Sequence, residues 1–318
     1  MNANSNAILT LCSHLCVGDG VVPLEPKEYS ELAQKMLTVG KKPGDLFEMS
    51  RKDITEQLNV NDEFADRLLR LTERNASLCF ELEKLSDMGV EAVTRADVQY
   101  PGMLKKKLGG SCPPIFYCAG ELGLLNRPMI GFVGARNVES QDIEFTKETV
   151  WKVVSLGFGV VSGGAKGIDS IAGTEAVLND SFSVEYLSDS MLKKLKSSDT
   201  VKKIQNGKLL LLSVAKPDAG FNVGIAMMRN RYIYAQSEAA VVVHSDLNKG
   251  GTWSGAVENL RHTWCPTLCW AHPYPGNKAL IEKGAIPISS DWDGDIPKTQ
   301  AAEPLSEEIQ QLSLFDNI

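Results

Sequence analysis

From residue 113 onward, short apolar runs alternate with amphipathic segments, and this alternation constrains the fold more than any other feature. Residues 115–118, 129–133, 159–162, 182–187, 208–213, 239–244 and 267–271 read as strands, with strand and helix readings both open around Phe182. Helical periodicity covers 140–156, 167–178, 223–236 and 252–262 between them. Strands that are apolar along their whole length are buried on both faces, whereas a half-solvated sheet alternates residue by residue. The expectation is an α/β fold, a parallel sheet covered by helices on both faces.

Ahead of this region, residues 29–39, 46–58, 62–75 and 78–88 place apolar side chains at three- and four-residue steps. Asn61 or Asp62 suits an N-cap, and Gly89 can close the fourth helix. Nothing between residues 7 and 107 reads as β-rich. The organisation expected is a small helical domain over 1–99, the sheet domain over 100–288 and a polar tail over 289–318.

With 318 residues, 43% hydrophobic and 23% charged, the chain has the composition of a globular protein rather than a disordered one. A net charge of -7 excludes a uniformly basic nucleic-acid binder and leaves room for a local basic patch. No apolar run reaches the roughly 18 residues of a membrane span, and residues 1–7 carry no basic leader, so a cytoplasmic protein without membrane partners is expected. Seven cysteines without framework spacing agree with a reducing compartment. The pairs Cys12/Cys16 and Cys265/Cys269 lack the C-x-x-C step, so no metal and no cofactor is expected.

Ligands of an open parallel sheet bind beyond the carboxyl ends of its strands. Three strand-to-helix turns there are rich in small residues. They are Gly134-Ala135-Arg136, the run Ser162-Gly163-Gly164-Ala165-Lys166-Gly167, and Lys249-Gly250-Gly251-Thr252. Glycine lets a ligand approach the backbone, and a helix N-terminus with a cation beside it suits phosphate. Gly157-Phe158-Gly159 precedes a strand and is no dinucleotide fingerprint, and no Gly-Lys-Ser/Thr string of a P-loop occurs. Arg229-Asn230-Arg231, with Tyr232 and Tyr234 beyond, has two readings: guanidinium groups for a nucleic-acid backbone, or arginines paired with acids on a packed helix.

Together these strings resemble the DNA-processing protein A family (DprA, or Smf). The match comprises Phe132 to Arg136, Val161 to Asp169, Arg229 to Ile233, Gly250 to Ala256, Pro275-Gly276-Asn277 and Lys283-Gly284-Ala285, in order, between about Tyr100 and Ile288. The resemblance implies an extended Rossmann-like domain that binds single-stranded DNA in a basic pocket, often as a homodimer, and helps load a RecA-type recombinase. It implies phosphate contacts from Arg136, Lys166, Arg229 and Arg231, with Gly134, Gly163, Gly164 and Gly167 admitting the strand and Asn230 holding the turn or meeting a base. The small helical N-terminal domain takes the place of the family's SAM-like or helix-hairpin-helix-like module. Ala172-Gly173 stands for the family's alanine-histidine pair, and His244 for its acidic residue, which marks a divergent subgroup.

Gln311-Leu312-Ser313-Leu314-Phe315 resembles the pentapeptide that docks bacterial proteins on the DNA polymerase sliding clamp. Physically, its leucines and phenylalanine suit an apolar groove, and the glutamine amide sets register. The function expected is single-stranded DNA binding in recombination, repair or uptake, with recruitment to the clamp and without catalysis. Two rivals use the same loops: a sensor of a nucleotide, and a nucleoside-monophosphate phosphoribohydrolase-like enzyme with Glu258 beside Gly250-Gly251-Thr252.

Overall fold

A computed structural model describes residues 2–17 and 20–297, and the pentapeptide at 311–315 lies outside them. The described residues divide into two compact units, one running to Cys118 and taking in Val214–Lys216, the other formed by Ala119–Ser213 and the described residues from Pro217 onward.

The first unit holds α1 (Ala3–Cys12), α2 (Pro26–Thr38), α3 (Arg51–Gln57), α4 (Asp62–Glu73), α5 (Asn75–Asp87), β1 (Glu91–Thr94), α6 (Gly102–Leu108) and most of β2 (Ile115–Ala119). Its helices begin where side-chain oxygens can take up the free N–H groups of the first turn. Asn2 accepts from Ser5, Ser50 from Asp53 and Asn61 from Phe64. Ser50 splits the predicted 46–58 helix into a short 3-10 turn, Pro43–Glu48, and α3. Gly89, at φ +78°, follows α5 and donates its N–H to Ser86. One reading is corrected: β1 interrupts the helical stretch and pairs antiparallel with β2, Glu91 opposite Cys118 and Thr94 opposite Ile115. Four residues are too few to display a period, and only the distant pairing makes them a strand.

The second unit holds β3 (Met129–Val133), α7 (Ser140–Ser155), β4 (Gly159–Ser162), α8 (Ile168–Leu178), β5 (Ser183–Tyr186), α9 (Met191–Lys194), α10 (Ser198–Gln205) and β6 (Leu209–Ser213). These are followed by α11 (Val223–Gln236), β7 (Ala239–Val242), α12 (Gly250–His262), β8 (Thr267–Trp270), α13 (Pro275–Glu282) and β9 (Ile286–Ile288). The residues around Phe182 form a strand. Seven strands stand in the order β6-β5-β4-β3-β7-β8-β9, and every neighbouring pair among them is parallel. The expected Rossmann-like parallel sheet is therefore present. The chain builds outward from β3 to β6, then returns to the other side of β3 for β7, so strand order reverses between β3 and β7. That reversal opens a crevice at the carboxyl ends of these two strands.

The core beneath the crevice is apolar: Ile130 and Phe132 of β3, Val160 of β4, Val241 of β7 and Leu268 of β8 are all inaccessible to solvent. Phe145 of α7 stacks on Trp270 of β8 at 4.3 Å and 12°. Asn277, fully buried, closes the carboxyl ends of β7 and β8: it accepts from the Ser245 N–H and donates to the carbonyls of Val243 and Trp270, each at 2.9 Å. Its hydrogen-bonding capacity is therefore met without water, as burial of an amide demands.

Replacing Ile130 by Ala removes buried methyl groups from the central strand and leaves a cavity. Urea denaturation should show a loss of about 2–5 kcal/mol.

Candidate nucleic-acid interface

The loops after β3, β4 and β7 meet at this carboxyl edge, and each is shaped by a close approach. After β3, a Cβ on Gly134 would lie 2.4 Å from Cγ1 of Ile168, so glycine lets α8 pack against the strand end. Thr252 Oγ1 donates to the Gly134 carbonyl at 3.0 Å and ties α12 to the same turn. Asn230 Nδ2 donates to the Gly251 carbonyl at 3.0 Å, so this asparagine holds the start of α12.

The loop after β4 closes on buried charge. Asp169, in the first turn of α8, faces Arg229 of α11 at 3.4 Å, and both side chains are 8% exposed. Asp169 also accepts from the Gly163 N–H at 3.1 Å. Burial pushes the Asp169 carboxyl up, while Arg229 and the N–H groups of Ala165 and Gly163 pull it back. The Arg229 guanidinium lies over Gly163, where an added Cβ would come within 1.4 Å of it. Gly164, at φ +57°, abuts the second ion pair, Glu185 with Lys194. Gly167, at φ +92°, approaches the Ala135 carbonyl, where an added Cβ would come to 2.2 Å. Ser162 Oγ accepts from the Gly164 N–H at 3.3 Å. These small residues are required by the protein's own side chains and backbone.

A cavity of about 660 Å³ opens at the crevice between β3 and β7. Gly134, Arg136, Arg229, Asn230, Lys249, Gly250, Gly251 and Thr252 all line it. Ser162, Gly163, Gly164, Lys166, Gly167 and Arg231 do not. The four cations named by the family resemblance are thus not gathered at one rim. Arg136 is exposed on the cavity, Lys166 is exposed away from its lining, and Arg229 faces inward to Asp169. Arg231 Nε lies 2.8 Å from Glu258 Oε1, a pair between α11 and α12. Of the two readings of Arg229-Asn230-Arg231, arginines paired with acids describes their positions. The cavity's unpaired cations, among the described residues, are Arg136 and Lys249. Lys249 precedes α12 without a side-chain cap on its N–H groups.

Several lining residues were not among the binding residues expected from the sequence, Phe221, Met227 and His244 among them. Phe221, 52% exposed, carries the Arg136 guanidinium 5.0 Å from its ring centroid. Met227 stands nearby on α11, and His244 at the end of β7. A lone aromatic ahead of a helix start, as in Gly220-Phe221-Asn222, was the signal available for the first. The enzyme rival is not favoured: Glu258 pairs with Arg231 and does not line the cavity.

The family profile of DNA recombination-mediator protein A matches residues 91–293. The chain belongs to that family. Among solved structures, DNA processing protein A from Streptococcus pneumoniae is 19% identical, with 84% of this chain and 95% of that one covered and a TM-score of 0.64. DNA processing protein A from Helicobacter pylori, described for its single-stranded DNA binding mode, is 25% identical, with 63% of this chain and 90% of that one covered and a TM-score of 0.51. A search of curated proteins finds no match. Among the described residues, no helix is long and apolar enough to cross a membrane.

Replacing Arg229 by Leu leaves Asp169 buried without its counter-charge. Denaturation should report a loss of about 3–5 kcal/mol, most of it recovered when Asp169 is also made Leu.

Proposed function

We propose that the cavity between β3 and β7 grips single-stranded DNA. One observation carries this reading: Arg136, Lys249 and the uncapped glycine start of α12 open on the same cavity, at the reversal of strand order. Arg136 offers a planar fork to a phosphate, and the first N–H groups of a helix carry the positive end of its dipole. Phe221, exposed beneath that guanidinium, offers a face on which a base can stack. Membership of a family of recombination mediators, and the single-stranded DNA binding described for the Helicobacter pylori protein, support the same ligand. The phosphate contacts assigned here are narrower than the family resemblance implies: Arg136, Lys249, Gly250 and Gly251 at the rim. Arg229, Asn230 and Thr252 act by shaping the cavity; of the loop after β4 Ala165 reaches the lining, while Ser162, Gly163, Gly164, Lys166 and Gly167, like Arg231, are not part of it.

The protein acts in this reading as a binding protein in recombination, repair or uptake in the cytoplasm. It belongs to a divergent branch, marked by His244 and Ala172-Gly173. The helical module over 1–99 and the sheet domain over 100–288 are followed by a tail that carries the clamp-docking pentapeptide. A homodimeric state and loading of a RecA-type recombinase complete the reading. Light scattering and a strand-exchange assay test those two.

Charge reversal of Arg136 or Lys249 should weaken binding of an oligothymidylate and leave the unfolding transition in place. The slope of log affinity against log salt should become shallower by about 0.7 for each phosphate that is no longer neutralised. Unchanged slopes in both variants would remove the reading.

Deleting residues 311–315 should abolish capture by an immobilised sliding clamp and leave oligothymidylate affinity unaltered. Retained capture would refute the docking assignment.

A further inference from the structure

At the carboxyl end of β7, His244 is held from two sides. Its Nδ1 lies 3.1 Å from Oδ2 of Asp142, a carboxylate with no exposed surface on α7. The same carboxylate accepts from the Glu139 N–H at 2.9 Å and from the Tyr274 hydroxyl at 2.9 Å. The imidazole stacks on the Tyr274 ring, 3.7 Å between centroids at 8°. Burial comes first among the causes that push the Tyr274 hydroxyl up to about 12, with Asp142 adding to it and the Gln141 hydrogen bond opposing, so tyrosine stays a donor at neutral pH. A carboxylate only accepts, so the hydrogen bond to Asp142 assigns a proton of His244 to Nδ1. The second ring nitrogen, Nε2, is left to accept a hydrogen bond from the neutral ring or to donate one from the imidazolium. That atom takes no partner among the described residues, and His244 lines the cavity.

The charge of the lining makes this atom decisive. Arg136, Arg229 and Lys249 are offset by Glu139, Asp169 and Asp246, so the formal charge cancels while His244 is neutral. His244 touches Asp142 of α7 and Tyr274 ahead of α13; His272 packs on Tyr274, and Glu139, Arg136, Asp246 and Lys249 line the same cavity. A proton taken up from solvent at Nε2 adds one positive charge and one donor to a cavity otherwise in balance.

We infer that His244, positioned by Asp142, is a further phosphodiester contact on the β7 side of the cavity, beside Lys249, binding a strand's phosphate through a protonated Nε2. This rests on the single-stranded DNA reading and deepens it: affinity rises toward low pH, because an imidazolium makes a charge-assisted hydrogen bond to phosphate oxygen.

The test uses the full chain and a fluorescent oligothymidylate, with anisotropy titrations from pH 8.5 to pH 5.5 at several salt concentrations. The wild-type protein should gain about tenfold in affinity toward low pH beyond the gain of His244→Asn. That variant keeps an amide donor for Asp142 and cannot titrate. The wild-type salt slope should steepen by about 0.7 at low pH, one more phosphate neutralised, and the variant's should not. His244→Gln, which places a neutral amide near Nε2, should behave like His244→Asn. A wild-type slope that is the same at both ends of the pH range overturns the inference even if both variants fail to fold. Variants that follow the wild-type profile overturn it too. A folded wild-type protein that binds no oligothymidylate at any pH overturns the underlying reading instead.

Discussion

Asp169 and Arg229 face each other beneath the turn that follows β4, and much of the site follows from their burial. Taking a carboxylate and a guanidinium out of water costs several kcal/mol per ion, so the pair persists only with further hydrogen bonds around it. The Gly163 N–H supplies one, and the guanidinium must lie so near the backbone that only glycine leaves room. The glycine-rich loop is in this sense the casing of an internal ion pair. It gives α8 its starting point, and Ile168 then packs under Gly134 to set the wall of the cavity. The cavity is lined mainly by the neighbouring turns after β3 and β7 and by α11.

Those turns present two unpaired cations, and the chain as a whole carries a charge of -7. The two facts are compatible because the field of distant surface charge is screened over about 8 Å at physiological ionic strength. In the proposed reading, a strand lodged in the crevice would respond to the lining, where acids and bases cancel, and to directed donors: the fork of Arg136, the N–H groups that open α12, and the protonated Nε2 edge of His244. Recognition then depends on where donors point more than on summed charge. This distinguishes the cavity from a broad basic surface, which the composition excludes.

Strands β3, β4, β7 and β8 and helices α7, α8, α11 and α12 were legible because each carries its signal within its own span, as a continuous apolar run or a 3.6-residue period. Strand β1 was not, since four residues show no period. Strand β9 has three residues, two of them exposed, with Pro287 among them, which fits an edge position where a missing N–H is tolerated. The lysine-bearing helices α9 and α10 are short: α9 is four residues long with Met191 alone buried, and α10 has no buried residue. In the site, Gly134, Arg136, Lys249, Gly250, Gly251 and Thr252 were legible from their place between strand and helix. The Asp142, His244 and Tyr274 group was not, because its contacts join positions 102 and 132 residues apart.

The sequence by itself determined the fold class, the main alternation of strands and helices in the second unit, and which turns carry small residues and cations. All of these are local properties, written in periodicity and in the special backbone of glycine. Only the tertiary structure decided which cations remain available to a ligand. Arg229 and Asp169 are 60 residues apart, and Arg231 meets Glu258 only because α11 packs against α12. Whether an arginine is a free donor or an internal counter-ion depends on burial and on the acid it meets. Neither is set by its immediate neighbours in the chain.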